Sequence, residues 1–209
     1  MGVQGNLWLC QLEPLEQVVI PALKEGSGNK LIQQSLAASA LWKTQQKTMV
    51  EEISQHFDEV FKHNEVYTRR HQAYEAYCSL FEFLVVTHCL KPLPVYYFGK
   101  YALKHRFEDK SKHLSPYFQS SFAYEMLVKL DQPTFWTHNS GGYHEGIRNW
   151  IDPLEVAIFL EESDQLIFQS DYKAYHEDEL QALKQFLQSA VQAQCGVLNG
   201  GDLRFLEGV

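Results

Sequence analysis

An apolar stripe at helical spacing constrains this chain more than any other feature. Tyr67, His71, Tyr74, Cys78, Phe81, Val85 and His88 recur at alternating intervals of four and three, and Tyr77, Leu80 and Leu84 widen the stripe. A helix of that breadth belongs at the centre of a core. It has to stop near Leu90, because Lys91-Pro92-Leu93-Pro94 follows and a residue before proline is driven out of the helical region.

The neighbouring segments suit the same kind of core. Leu12 to Lys24 reads as a first short helix with Pro14 in its opening turn and Pro21 as a kink. Leu31, Leu36, Leu41, Val50, Ile53, Phe57 and Val60 predict one long helix or two successive ones between Lys30 and Lys62. Ser115-Pro116 offers a cap and a first-turn proline for an amphipathic helix from Tyr117 to Leu130.

The best-formed helix start is Asp152-Pro153-Leu154-Glu155. Asp152 can cap, Pro153 suits the first helical position, and Glu155 can reach back to the cap's amide, while Ile151 and Val156 are spaced for a hydrophobic staple. This helix is expected to run to Glu162. A last helix is expected from His176 to Gln194, with Glu177, Asp178 and Glu179 at its positive end and Gly196 at its stop.

Strands are expected to be few. Val95-Tyr96-Tyr97-Phe98 is ambiguous between strand and helix, Gln165 to Gln169 suits a short strand, and Gly196 to Phe205 reads as two short strands around an Asn199-Gly200-Gly201-Asp202 turn. The fold class expected is therefore mainly α, in the α+β sense: a single helical domain with a few short β-strands toward the C-terminus. Its parts would be a helical core over about 12–131, a central loop over 132–150 and an acidic helix and strand part over 151–209.

With 209 residues, 45% of them hydrophobic and 21% charged, the chain is long enough to bury such a core. Cys10, Cys78, Cys89 and Cys195 form no C-x-x-C pair and read as thiols of a reducing compartment. The first ten residues carry no cationic start or long apolar run, and the apolar block Phe81–Val86 is too short to span a bilayer, so a cytoplasmic location is expected.

Charge is distributed unevenly. Residues 1–150 hold fifteen Lys and Arg against fifteen Asp and Glu, whereas residues 151–209 hold three against eleven, which accounts for the net charge of -8. Such a tail repels nucleic acid and attracts cationic protein surfaces. The only basic cluster, Lys100 to Lys112, is interrupted by Glu108 and Asp109 and reads as solvated surface.

Between Pro133 and Pro153 lies a stretch without helical or strand period that concentrates functional residue types. Phe135, Trp136, Tyr143, Trp150 and Arg148 are the mixture found in interface hot spots. His138, His144 and Glu145 could ligate a metal or form an acid–base pair, but His144-Glu145-Gly146-Ile147-Arg148 does not continue as H-E-x-x-H. Ser140-Gly141-Gly142 lacks the nucleophile-elbow and phosphate-loop patterns and reads as a turn. His71, His88 and Cys78 lie on an apolar stripe, where core residues are the plainer reading.

The function expected from these features is that of a non-enzymatic binding protein, of the immunity-protein or antitoxin type, covering the active site of a cationic toxin. Phe135, Trp136, His138, Tyr143, His144, Glu145, Arg148, Glu155, Glu161, Glu162 and Asp164 are its expected partner-binding residues. No cofactor, metal, nucleic acid or membrane partner is expected. The alternatives are an enzyme, such as a metal-assisted hydrolase using His138, His144 and Glu145, and a regulatory domain binding a small ligand between helices.

Overall fold

A computed structural model describes residues 5–25, 34–35, 72–99, 102–114, 117–134, 138–140, 143–169 and 178–203. Its frame is a five-stranded antiparallel sheet, which overturns the expectation of a helical domain with strands only toward the C-terminus. The strands are β1 (Gly5–Cys10), β2 (Leu90–Gly99), β4 (His138–Ser140), β5 (Tyr143–Ile151) and β7 (Gly196–Gly201), and their order across the sheet is β2-β1-β7-β5-β4. A separate pair joins β3 (Phe107–Asp109) to β6 (Leu166–Phe168), with Phe107 opposite Phe168.

The two central strands come from opposite ends of the chain. Leu7 to Cys10 of β1 are all buried because helices cover both faces of the sheet. A strand buried on both sides carries no polar alternation, so Leu7-Trp8-Leu9-Cys10 gives no period-two signal in the sequence. Of the two short strands expected around an Asn199–Asp202 turn, the first is present, but β7 runs on through Gly201, so Asn199 to Gly201 do not form the expected turn. Instead Asn199 and Gly200 pair with Leu7 and Asn6 on one side, and with Asn149 and Ile147 on the other. The glycines serve close packing here: a Cβ on Gly196 would lie 2.5 Å from the Ile151 carbonyl oxygen, and one on Gly200 would lie 2.9 Å from Leu203.

One face of the sheet carries α1 and α2. Helix α1 consists of turns at Leu12–Pro14 and Ile20–Glu25 on either side of a π-helical segment, Leu15–Val19, and α2 spans Gln72–His88. Trp8, Cys10, Ile147 and Leu198 of the sheet join Leu15, Val19, Leu80, Phe81 and Leu84 in that core. The expected central helix is therefore present over its described part, with His88 accepting or donating a 3.0 Å hydrogen bond with Ser35. Tyr67 and His71 lie outside the described residues, as does the helical region expected over 30–62 except for Gln34 and Ser35.

The other face carries α3 (Phe122–Asp131), α4 (Pro153–Glu162) and α5 (Glu179–Gln192). Leu7, Leu9, Ile151 and Val197 pack there with Leu127, Leu130, Val156, Phe159, Leu183 and Leu187. Helix α4 begins as its sequence predicts: Asp152 accepts from the Glu155 amide at 2.8 Å and Glu155 accepts from the Asp152 amide at 2.9 Å, the two halves of a capping box. Helix α3 begins later than expected. Its cap is Ser121, which accepts from the Tyr124 amide, and Ser115-Pro116 lies outside the described residues. Helix α5 ends at a left-handed Gln194 (φ 51°) in place of Gly196, which belongs to β7.

Two irregularities shape the sheet. Between the pairs Trp8–Val95 and Cys10–Leu90, Lys91 to Pro94 of β2 face only Leu9 of β1, so the strand swings outward there and leaves Leu93 76% exposed. In β5, Ile147 pairs with Gly200 and Asn149 with Asn199, which makes Arg148 the extra residue of a bulge. The bulge breaks the alternation: Ile147 faces α1 and α2, whereas Ile151, four residues on, faces the opposite core. No helix among the described residues is long and apolar enough to cross a membrane.

Candidate functional site

The expected central loop is partly a hairpin. His138 pairs with Glu145, Asn139 with His144 and Ser140 with Tyr143, and β5 then continues inward to Ile151. The backbone thus brings His138 and Glu145 to directly opposed positions. Phe135 and Trp136 lie outside the described residues.

Arg148 is turned inward. Its side chain is 11% exposed and its guanidinium donates to Asp131 at 3.3 Å. Asp131, the last residue of α3, also accepts from the amides of Leu103 at 3.0 Å and Lys104 at 2.6 Å, and from the Asn199 side-chain nitrogen at 3.2 Å. Asn199 bonds in addition to the Leu130 carbonyl at 3.0 Å. Burial pushes the Asp131 carboxyl above its ordinary value, and the two amides and Arg148 pull against that shift. This cluster ties α3, β5, β7 and the turn after β2 together.

The expected acidic surface is also partly committed to the fold. Glu155 closes the capping box and pairs with Lys129 of α3. Glu162 accepts from the Phe122 amide at 3.0 Å at the start of α3, and Asp164 pairs with Lys184 of α5. Glu161 is exposed, and Asp164, although paired, keeps 80% of its side chain exposed.

A further group of residues forms a cleft that sequence reading did not assemble. A groove of about 590 Å³ lies between β2 and α5, lined by Pro94, Val95, Tyr96 and Tyr97 on the strand and by Asp178, Glu179, Ala182, Gln185, Phe186 and Ser189 on the helix. The helical residues recur every three or four positions and so share one face. Tyr96 donates a 2.5 Å hydrogen bond to Glu179, and its ring lies 6.2 Å from that of Phe186. Burial, then the bond and the charge of Glu179, push the Tyr96 phenol far above its ordinary value, which keeps it protonated as a donor.

Asp178 and Tyr97 are exposed at this groove, Tyr97 by 64%. Asp178 stands at the cap position of α5 yet makes no side-chain capping bond. The site therefore combines an exposed carboxylate, a buried carboxylate held by a phenol, and an exposed aromatic edge, a set suited to cationic groups with apolar stems.

The thiols offer a different chemistry. Cys10, Cys78, Cys89 and Cys195 are buried, and none is joined in a disulfide. Burial, reinforced by Cys89 and Cys195, pushes Cys10 well up, and burial takes Cys89 to about 12, so Cys10 and Cys89 stay protonated near neutral pH. Among the described residues, no group of three or more His, Cys, Asp or Glu side chains is arranged to hold a metal ion. Comparison with family models, with curated proteins and with solved structures finds no match.

Proposed function

We propose that this is a non-enzymatic cytoplasmic binding protein that engages a cationic partner, and that the groove between β2 and α5 is where it does so. Neutralisation by occlusion, as in an immunity protein or antitoxin, is the form of action this reading favours: the partner's basic segment is held in the groove while the surrounding acidic surface covers its functional cleft. The observation that carries the reading is the pairing of Asp178 and the Tyr96–Glu179 unit with Tyr97 and Pro94 in one cleft. The acidic balance of residues 151–209 supports it, because a field of one sign steers a partner of the other toward the site.

The test is charge reversal at the exposed carboxylate. Asp178→Lys removes no capping bond, and at contact distance an exposed charge changes affinity for a basic ligand on the order of tenfold. Binding of a capped octalysine peptide, followed by calorimetry at low and at physiological salt, is expected to weaken by that factor and to lose part of its salt dependence. Equal affinity of both proteins at both salt concentrations would reject the groove as the site.

A further inference from the structure

We infer that the partner enters the groove as a short extended segment laid along the free edge of β2, with one Lys or Arg side chain seated beside the Tyr96–Glu179 pair. The inference rests on the groove reading above and specifies the form in which the partner is recognised.

Four consecutive residues of β2, Pro94 to Tyr97, line the groove. Successive residues of a strand point to opposite faces. Tyr96 belongs to the core under α5, whereas Val95 packs against the core under α1 and α2. A space that touches both lies at the strand's edge and not over either face. That edge is free of strand partners among the described residues, since β2 is terminal in the sheet order and pairs with β1 alone.

The usable edge is bounded at both ends. Pro92 and Pro94 have no N–H to offer a partner strand. At the other end, the Phe98 carbonyl accepts from the Arg106 guanidinium, and Gly99 (φ 81°) leaves room for it: a Cβ there would lie 2.6 Å from the guanidinium nitrogen. Between them lie Val95, Tyr96 and Tyr97, roughly 10 Å of strand.

The facing helix residues, Asp178 to Ser189, span about 16 Å at 1.5 Å per residue. A helical ligand has its backbone N–H and C=O groups bonded within itself and so offers the strand edge no pairing. An extended segment of about three to five residues matches the length. Its backbone gains a few hydrogen bonds from the edge, and its alternate side chains meet the carboxylates or point to solvent, the division of labour seen where peptides add a strand to a sheet.

The experiment uses the full chain and an array of capped octapeptides with Lys or Arg at every second position and varied apolar residues between. The tightest binder is resynthesised in two forms, N-methylated at alternate amides in one phase or in the other. Because N–H groups of a strand alternate between its edges, one form is expected to lose tenfold or more and the other to stay within twofold. Asp178→Lys is expected to weaken the unmodified peptide about tenfold. If both N-methylated forms bind within twofold while Asp178→Lys still weakens binding, the extended-strand inference is overturned and the groove reading stands. Failure of every peptide to bind, or equal binding by Asp178→Lys, overturns both.

Discussion

Replacing Asp131 by alanine removes the acceptor on which four donors converge: the amides of Leu103 and Lys104, the Asn199 side chain and the Arg148 guanidinium. The Asp131 side chain is 2% exposed and that of Arg148 11%, so water cannot readily replace the carboxylate. Breaking a buried ion pair from one side costs about 3–5 kcal/mol, since the remaining charge keeps its desolvation penalty. Against a total stability of about 5–15 kcal/mol this is a large fraction. With a urea dependence of about 2 kcal/mol per molar, the unfolding midpoint is expected to fall by roughly 2 M.

The pair also makes a prediction about coupling. Arg148→Met removes the buried charge, so in the double variant the loss is expected to be about 1–3 kcal/mol smaller than the sum of the single losses. Urea titrations of the four proteins, followed by far-ultraviolet circular dichroism, close the cycle. An Asp131→Ala cost below about 1 kcal/mol, or strict additivity with Arg148→Met, would refute the view that this cluster ties the sheet to α3.

Gly196→Ala is expected to destabilise by about 2 kcal/mol or more, measured by thermal unfolding, because the added methyl meets the Ile151 carbonyl, a backbone atom that cannot rotate away. Asp109 accepts from the amide and hydroxyl of both Ser111 and Ser121, and despite the opposing effect of burial these bonds hold its carboxyl below the ordinary value. Its contribution is therefore present above the unfolded value, near pH 4, and is lost as pH falls through the folded one. Asp109→Asn is expected to cost about 1–3 kcal/mol at neutral pH and to flatten the acid limb of stability against pH. Asp131 acts with the opposite sign, its raised folded pKa making stability grow as pH falls through that value, which Asp131→Asn should abolish.

What could be read from the sequence was local. The start of α4 follows from Asp152, Pro153 and Glu155 because the capping box is closed between Asp152 and Glu155, three positions apart, each accepting from the other's amide, and Pro153 needs no partner in the first turn. The stripe of α2 was legible for the same reason. Strand β1 was missed because its identity depends on pairing with β2 and with a strand some 190 residues away, and because burial on both faces erases its alternation. Asn199-Gly200-Gly201 has turn composition, yet the chain uses its lack of bulk inside the sheet.

The functional residues divide in the same way. Arg148 has the composition of an interface residue, but the bulge and Asp131 turn it inward. Glu155, Glu162 and Asp164 read as acidic surface, and each has a partner within the fold. The groove joins Tyr96 to Glu179 across 83 positions of sequence, and no local pattern announces such a contact. The one trace of it was the acidic run Glu177-Asp178-Glu179, whose carboxylates suit a helix start equally well.

The most direct test of the central claim is a footprint. Hydrogen exchange of the full chain, with and without the tightest basic octapeptide, is expected to show protection confined to Pro94–Phe98 and to α5 from Glu179 to Ser189. Protection of the β4–β5 hairpin or of the Glu161 surface of α4, with β2 and α5 unchanged, would contradict it.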